Sequence, residues 1–396
     1  MDFHLSDEHV QVRTAVQHVM KRFEGRRGEL MRKVHKERTF PHEIWDAVAQ
    51  IGLLGSFLPE EYGGSGMGLL GYTVALEEIS SIGFGNALLV LTPMDALCIL
   101  RNGSERVKKK YLPGIAEGKY KFCFALTEAD AGSNTFKIKT SAVKRDGRYV
   151  INGSKTFITG VDVADYMLCV TRTKSLDELS REKMPKAHGL SLFVVDTKSK
   201  GLTLQVLPTR GVEGMNQFSV FFDDVEVPAE NLVGEEHAGA VALFKGLNPE
   251  RILAAATAVG ASEYCLKKAV EYANVRRVFR DTPIGQYQAI QHPLAEAKIY
   301  QEAVRLLAYK AAWAYDQGLN PGEVGMYANM AKYLAAQLGV MAVDRAIETM
   351  GGSGFSEDSG VVFLWDAMRL LKTAPVSNEM ILNYISEHVL NLPRSY

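Results

Sequence analysis

Two acidic residues stand where a protein could hold and transfer a proton, and the first of them is Glu250. It follows Asn248 and Pro249 and precedes Arg251. Asn is a preferred helix cap and Pro is tolerated in the first turn, so this order predicts a helix that starts here. Glu250 is then expected in the first turn, near the positive end of the helix dipole. That position suits a catalytic base, and it equally suits a carboxylate that only complements the dipole.

Asp95 is the second residue of this kind. It is a single acid in the apolar segment LLVLTPMDALCIL. An isolated acid in apolar surroundings can be a base or a substrate contact. The alternative is a surface or helix-capping Asp, because the residues before it resemble a helix start.

The overall composition narrows the classes of function. A chain of 396 residues is long enough for two or three domains, and its formal net charge of −1 argues against nucleic acid or an anionic membrane as the main partner. Four cysteines without a CxxC pair indicate buried thiols in a reducing compartment, and the nine histidines lack metal-site spacing. The chain shows neither the apolar core of a signal peptide nor an 18-residue apolar run. We therefore expect a cytoplasmic protein without a metal and without membrane insertion.

The hydrophobic period changes twice along the chain, which divides it into three segments. Helical patterns fill residues 1–120, short β-rich runs fill 121–235, and long helices return in 236–396. The strands suggest a small barrel or sandwich and the last segment suggests a helix bundle. The predicted helices cover 10–23, 41–51, 70–82, 88–100, 249–275, 287–317, 321–349, 361–370 and 377–390. The predicted strands cover 122–127, 140–144, 149–152, 155–159, 166–172, 190–196, 202–207 and 218–225, and an exposed loop is expected at 174–186.

Six stretches, in this order, resemble the acyl-CoA dehydrogenase family: LPEEYGGSGMG, FALTEADAGSN, INGSKTFITG, FDDVEVPAENLVG, RRVF…IGQYQAIQ and ETMGGSGF. Each stretch alone is weakly specific, but together they cover essentially the whole chain. The resemblance implies an α+β multidomain fold, with an N-terminal all-α domain, a middle β-barrel and a C-terminal four-helix bundle. It also implies FAD, a homotetramer, electron-transfer flavoprotein as electron acceptor, and α,β-dehydrogenation of an acyl-CoA thioester.

The same resemblance assigns residues to the flavin. Thr159 is expected to donate to flavin N5, Thr127 to hold the pyrimidine edge, and Phe157 to flank the ring, where many members carry Trp. Without the resemblance, Phe124, Leu126 and Phe157 would be interpreted as barrel core. The full set is Phe124, Leu126, Thr127, Ser133, Phe157 and Thr159, with Ser133 also assigned to the substrate.

The resemblance also implies that the ADP half of FAD crosses to a neighbouring subunit, where it is expected to meet a second group of residues. Gly351 and Gly352 allow close approach of a phosphate or ribose, although a plain helix C-cap explains them equally well. The segment FRDTPIGQ is one residue longer than the common form, so contacts near Arg280 and Asp281 are less defined. The set matched to the family is Arg276, Phe279, Gln288, Gly351 and Gly352.

The resemblance also bears on the base. Many members carry the catalytic Glu near the C-terminus, at the position that is Ala374 here. Members of the isovaleryl-CoA dehydrogenase type and crotonobetainyl-CoA reductase-like members use a Glu that matches Glu250. Glu250 is then expected to remove the α-proton while the β-hydride goes to flavin N5, with Arg251 orienting the site and the Ala374 N–H binding the thioester carbonyl. Glu379 and Asp95 are the rival bases, and Glu379 is better explained by its place at a helix start.

The function that follows is FAD-dependent dehydrogenation of a short, branched or cyclic acyl-CoA. The size preference comes from Ala374 and Thr373, which replace larger side chains of the common motif. Three alternatives stay open on the same fold: an enoyl-CoA reductase of the crotonobetainyl-CoA type, a flavin oxidase or monooxygenase, and an FAD-binding protein without turnover.

Overall fold

A computed structural model describes residues 4–212 and 214–395 of the chain. These residues form two compact units. The helical unit comprises the described parts of Met1–Ile44, Met67–Gly85 and Asn248–Tyr396, and the sheet unit comprises Trp45–Gly66 and Asn86–Leu247. The α+β class is confirmed, with helices before and after a β-rich middle part. The boundaries of the three segments at 120 and 235 remain a prediction.

The helices of the described residues follow the predicted positions closely in most places. Two long helices, Gln288–Asp316 and Pro321–Met350, agree with the prediction to within one residue at each end. Asn320 and Pro321 mark the start of the second of these helices, and Gly351 marks its end. The helices are α1 (Asp7–Lys21), α2 (Arg27–His35), α3 (His42–Gln50), α4 (Gly68–Ser80), α5 (Leu88–Asn102), α6 (Glu105–Ala116), α7 (Leu176–Arg181), α8 (Gly239–Val275), α9 (Gln288–Asp316), α10 (Pro321–Met350), α11 (Leu364–Leu370) and α12 (Asn378–His388).

The predicted start of α8 is wrong. The helix begins at Gly239, so Pro249 lies inside it and Glu250 is more than two turns from its N-terminus. An internal Pro cannot donate a helical hydrogen bond and costs about 3 kcal/mol. Burial of the preceding turns offsets this cost, since Leu243 and Leu247 are both buried. The dipole argument for Glu250 therefore does not apply.

Three helices were not predicted individually: α2, α6 and α7. The segment 174–186, expected as an exposed loop, contains α7, which starts with a capping box formed by Ser175 and Glu178. Leu179 on this helix is buried, which holds the turn against the sheet unit. Helix α2 was missed because no strong cap or apolar period marks its start at Arg27.

The sheet unit contains one sheet, with eight strands among the described residues. Its order is β6-β7-β3-β2-β4-β5-β8, and β1 pairs in parallel with β4. Tyr111 from α6 packs edge-on against Phe122 and Tyr166, which anchors β1 and β4. The strands are β1 (Phe122–Ala125), β2 (Ser141–Arg145), β3 (Arg148–Thr159), β4 (Tyr166–Arg172), β5 (Leu190–Asp196), β6 (Leu202–Leu207), β7 (Gln217–Pro228) and β8 (Leu232–Val233).

Strand β3 replaces two of the predicted strands. The prediction ended one strand at residue 152 and began the next at 155, but the chain continues between them as one strand with a register shift between Ile151 and Gly153. Gly153 has φ of 139°, and a Cβ there would lie 2.7 Å from the Thr140 Cα. The extra residue of this β-bulge lies on β7, between Phe222 and Val225, and Gly153 allows the close backbone approach opposite it without ending the strand.

The helical unit has its own core, formed by α8, α9, α10 and α11. Small residues dominate the facing surfaces, for example Ala258, Ala331 and Ala335, so the helices approach closely. Gly260 on α8 is required by this packing, since a Cβ would lie 2.2 Å from the Glu77 carbonyl oxygen of α4.

All four cysteines are buried and none is in a disulfide, which confirms the prediction of buried thiols. A two-stranded ribbon, β9 (Arg277–Val278) with β10 (Thr282–Pro283), joins α8 to α9.

Candidate active site

Glu250 is a partly buried carboxylate on α8 of the helical unit. Burial raises its pKa to about 7, and the positive charges of Arg251 and Lys332 oppose that rise. Among the side chains that the structure describes, none donates a hydrogen bond to this carboxylate. A carboxylate that is desolvated but not hydrogen-bonded can both hold and release a proton near neutral pH.

Arg251 follows Glu250 on α8, and the two charges act on each other. Its Nη1 donates to the Asn248 Oδ1 at 2.9 Å, so Asn248 serves as a partner for the guanidinium and not as a helix cap. Arg251 Nε is buried and has no hydrogen-bond partner within the described part of the chain. Burial lowers the pKa of Arg251 from its ordinary value, yet the guanidinium stays charged at neutral pH. The predicted neighbourhood of Glu250 and Arg251 therefore includes a donor that is available to a ligand.

Lys332 on α10 completes this cluster, and the sequence prediction missed it. Its side chain is only 1% exposed, and its Nζ donates to the Val376 carbonyl and to the Asn378 Oδ1. Burial and the charge of Arg251 lower the pKa of Lys332 to about 8, while Glu250 and Glu379 oppose that change. A lone lysine in the apolar run ANMAKYLAAQLG was the signal that could have identified it.

The segment that precedes α12 holds Ala374. The Ala374 N–H donates to the Leu370 carbonyl at 2.9 Å, so it is engaged within the protein. Binding of a thioester carbonyl by this N–H would require exchange of that bond, and the role stays a prediction. Glu379 lies in the first turn of α12 and is exposed, as its interpretation as a helix-end acid predicts.

Asp95 lies inside α5 of the sheet unit, in the middle of the helix and fully buried. The interpretation of this residue as a surface or helix-capping Asp is therefore wrong. Its charge helps burial to raise the pKa of the Cys98 and Cys123 thiols, so these three side chains are close to one another. A role of Asp95 toward substrate remains a prediction.

Strand β3 presents the residues expected to face a flavin. Phe157 is 56% exposed and has φ of +58°, so it is not core as the alternative interpretation required. Thr159, two residues further on the same strand, accepts a hydrogen bond from Gln217 Nε2 at 3.2 Å through its hydroxyl oxygen. Its hydroxyl hydrogen is then available to an acceptor. An exposed ring and a nearby hydroxyl donor fit a flat heteroaromatic ligand.

The remaining flavin residues flank the end of β1. Phe124, Leu126 and Thr127 are partly buried, and Ser133 is exposed. The Thr127 carbonyl accepts from the Thr156 N–H at 2.9 Å, which joins this segment to β3. The positions of these residues agree with the predicted flavin contacts, which remain predictions.

A buried ion pair holds the loop that contains Ser133, and it was also missed. Lys155 Nζ donates to Glu128 Oε1 and to the Leu126 carbonyl, both at 2.9 Å. The Glu128 carboxylate also accepts from the Lys139 N–H at 2.7 Å and the Thr140 N–H at 2.9 Å. Burial would raise the pKa of Glu128, but the charge of Lys155 and these hydrogen bonds outweigh it and lower the pKa.

A second buried cation supports the same loop. Arg172 Nε donates to the Ile138 carbonyl at 2.9 Å and Nη2 donates to the Phe136 carbonyl at 2.8 Å. The guanidinium also reaches the carbonyls of Lys186 and His188. Residues 126–140, which lie largely outside strand pairing, are therefore fixed by buried charges.

The residues expected at the ADP moiety are all exposed in the helical unit. Phe279 is 84% exposed on the ribbon between α8 and α9, where Arg280 and Asp281 adopt positive φ and accommodate the longer segment. Gly351 ends α10 with φ of 56°, so the helix-end interpretation describes its local structure. No atom lies within 4 Å of a Cβ built on either glycine of the pair. The exposed set is Arg276, Phe279, Gln288, Gly351 and Gly352.

Candidate metal sites and membrane-spanning helices are both absent from the residues that the structure describes. Within the described residues, no group of three or more His, Cys, Asp or Glu side chains could hold a metal ion. In the same part of the chain, no helix combines the length and apolar character needed to cross a membrane.

Comparison with known proteins identifies the family. The acyl-CoA dehydrogenase N-terminal domain matches residues 6–119, the middle domain matches 123–225 and the C-terminal domain matches 237–390. The fold and the three matches define the class, and the chain belongs to the acyl-CoA dehydrogenase family, whose members are oxidoreductases.

Individual relatives agree with this assignment. Acyl-CoA dehydrogenase FadE12 of Mycobacterium tuberculosis is 43% identical over 365 residues, which are 91% of this chain and 92% of the relative. Cyclohex-1-ene-1-carbonyl-CoA dehydrogenase of Syntrophus aciditrophicus is 34% identical, over 88% of this chain and 82% of the relative. The solved structure of butyryl-CoA dehydrogenase from Megasphaera elsdenii has a TM-score of 0.88 at 29% identity and covers 98% of this chain and 100% of that one.

Proposed function

We propose that this protein is an FAD-dependent acyl-CoA dehydrogenase in which Glu250 is the base. The observation that carries the proposal is the state of Glu250, a desolvated carboxylate that receives no hydrogen bond from the described side chains and has a pKa near 7. Such a group can take the α-proton of a thioester at neutral pH. The position that holds the base in many relatives is Ala374 here and cannot accept a proton.

The residues of this chain fit FAD, which would supply the acceptor for the β-hydride when bound. On β3, the exposed Phe157 ring would flank the flavin and the Thr159 hydroxyl would donate to it. In the helical unit, Arg276 and the open backbone at Gly351 would meet the anionic ADP moiety. Phe157, Arg276 and Gly351 are exposed, and the partly buried Thr159 keeps its hydroxyl hydrogen available.

The chemistry of this chain's own residues then follows from their charges. Glu250 in its ionised form removes the α-proton and holds it. Arg251 and Lys332 keep positive charge near the developing enolate, and this charge stabilises it in a site with little water. We expect a short, branched or cyclic acyl group, because Ala374 leaves space and because relatives named for butyryl-CoA and cyclohex-1-ene-1-carbonyl-CoA share the fold or the sequence.

The proposed assembly is the homotetramer that the family implies, and α9 carries an apolar surface that supports it. Three apolar residues spaced seven apart on α9, Ile299, Leu306 and Trp313, are exposed by 72%, 52% and 47%. A stripe of this kind supports burial against another copy, as in the homotetramer implied by the family, and light scattering would test it.

Electron-transfer flavoprotein is the proposed electron acceptor. The four buried thiols suit a cytoplasmic location.

The test is anaerobic titration of the flavin-loaded protein with butyryl-, isobutyryl-, isovaleryl- and cyclohexanecarbonyl-CoA, following bleaching of the flavin band. We expect one of these thioesters to bleach the wild type. In Glu250→Gln, the bleaching rate should fall by about 10²–10⁴-fold, the usual contribution of a general base. Glu379→Gln is the matched control and should keep most of the rate.

Other outcomes would change the assignment. Bleaching that survives Glu250→Gln would transfer the base to another acid, with Asp95 as the next candidate. If no thioester bleaches the flavin, rapid reaction of chemically reduced protein with oxygen would favour an oxidase or monooxygenase. Slow reaction would leave a reductase or a protein without turnover.

A further inference from the structure

Lys332 is a buried ammonium that the family resemblance did not assign. It lies on the face of α10 that carries Ala331, Ala335 and Ala336, all buried. A lysine is almost never fully buried unless its charge is paired or hydrogen-bonded. The structure therefore has to explain which partners hold this charge in the helical unit.

Its hydrogen bonds go to one short segment. Nζ donates to the Val376 carbonyl and, at 3.3 Å, to the Asn378 Oδ1. Val376 comes two residues after Ala374, and Asn378 is the first residue of α12. Lys332 thus connects α10 to the segment expected to meet the thioester.

The same ammonium acts electrostatically on α8. The charged and titratable groups around it are Glu250 and Arg251 on α8 and Glu379 on α12. The groups that act on Glu250 are Arg251 and Lys332. One side chain therefore combines a tether to the Ala374 segment with a positive charge near Glu250 at neutral pH.

We propose that Lys332 is the positioning residue of this active site: it fixes the Val376–Asn378 backbone and places a positive charge near the Glu250 base. This inference rests on the proposed function of Glu250. A purely structural lysine would hold the segment equally well, but its removal would not change the pH at which Glu250 titrates. The two roles are therefore separable by experiment.

The variants are Lys332→Met, which removes charge and tether, and Asn378→Ala, which removes one tether and keeps the charge. Lys332→Gln serves if the methionine variant does not fold. Lys268→Met is the matched control, since Lys268 lies on α8 and pairs with Glu271 at the surface. All are studied as the FAD-loaded protein, each with and without Glu250→Gln.

The first readout needs no turnover. The difference in unfolding free energy between each protein and its Glu250→Gln partner is measured from pH 4 to pH 9, and the pH above which this difference is constant reports the titration of Glu250 in the folded protein. Without the Lys332 charge, this pH should be about 1 unit higher. Asn378→Ala and Lys268→Met should leave it unchanged. An equal value in wild type and Lys332→Met overturns the inference.

The second readout is the pH dependence of flavin bleaching by the best acyl-CoA. Its midpoint should rise by the same amount in Lys332→Met, while Asn378→Ala should lower the rate at all pH values. An unchanged rate profile in Lys332→Met also overturns the inference. If wild type and Glu250→Gln bleach equally, the proposed base is wrong, and the stability readout still decides whether Lys332 acts on Glu250.

Discussion

Two carboxylates in the two units have the same side chain and opposite properties. Glu128 in the sheet unit accepts hydrogen bonds from Lys155 and from two backbone N–H groups, and its pKa is lowered. Glu250 in the helical unit accepts no such bond from the described side chains, and its pKa is raised to about 7. Both carboxylates are desolvated, so burial alone does not decide the outcome.

The difference teaches which buried acid can do chemistry. The partners of Glu128 use its lone pairs and favour its charged form, so it cannot readily take up a proton. Glu250 keeps its lone pairs available, and only the more distant charges of Arg251 and Lys332 restrain its pKa. We infer that the number of hydrogen-bond donors distinguishes a structural carboxylate from a base in this protein.

The largest expected effect on stability comes from breaking the structural pair. Lys155→Met leaves the Glu128 charge buried without its ammonium partner, which costs about 3–5 kcal/mol of unfolding free energy. Urea unfolding at pH 7 measures this loss. Adding Glu128→Gln removes the charge and should recover part of it.

An exposed ion pair on the same sheet provides the control for that experiment. Arg148 and Glu226 pair at 2.8 Å, but both side chains are about 60% exposed. Arg148→Met should therefore cost less than about 1 kcal/mol. Equal losses for Arg148→Met and Lys155→Met would contradict the structural role of the buried pair.

A smaller effect of opposite sign is expected from Glu250→Gln. The folded protein keeps the Glu250 proton up to about pH 7, while the unfolded chain releases it near 4.5. Relative to the Gln variant, wild type therefore loses stability as pH rises from 4.5 to 7, and the difference is constant above that range. Above pH 7 the variant should be more stable by about 2–3 kcal/mol. A wild type that is more stable than the variant at pH 8 would contradict the raised pKa.

Glu128 should show the reverse pH dependence. Because its pKa is lowered in the folded protein, its contribution is present above the unfolded value and is lost as pH falls through the lower folded value. Wild type and Glu128→Gln, compared by thermal unfolding between pH 3 and pH 7, should differ most at neutral pH. A difference that grows toward acid pH would argue that Glu128 is not held in its charged form.

The smallest effect concerns the cofactor residues near the Glu128 loop. Phe157→Ala removes an exposed ring, so stability of the protein without FAD should change little. Loss of one aromatic contact should weaken FAD binding by about 3–10-fold, as measured by flavin fluorescence titration. Unchanged FAD affinity would exclude Phe157 from the flavin contact.

Much of the fold could be predicted because caps and periods act locally. Pro321 and Gly351 marked α10, and short β-rich apolar runs marked β4 and β5. The prediction failed at Pro249 and Gly153, where a local stop signal is overridden by tertiary packing. Burial of the first turns of α8 offsets the free-energy cost of the internal proline. Gly153 lies inside one continuous strand, opposite a bulge on β7.

The site was predictable only where a residue type carries its own chemistry. Glu250 stood out as an acid at an expected helix start and Asp95 as an acid in an apolar segment. The structure places Glu250 as a desolvated acid and Asp95 as a buried residue inside a helix. Lys155 and Lys332 were missed because their importance comes from carbonyls and carboxylates distant in sequence, which no periodicity reveals. Burial raises the pKa of Glu250, and the helix end that was expected to favour its charged form is not there, since α8 begins at Gly239.

The most direct test of the central claim is α-proton exchange without oxidation. The FAD-loaded protein is incubated in D₂O with 3,3-dimethylbutanoyl-CoA, which has α-hydrogens but no β-hydrogen, and deuterium uptake is followed by mass spectrometry. We predict exchange by wild type and by Glu128→Gln, and a loss of about 10²–10⁴-fold in Glu250→Gln. Equal exchange by wild type and Glu250→Gln would contradict the assignment of Glu250 as the base.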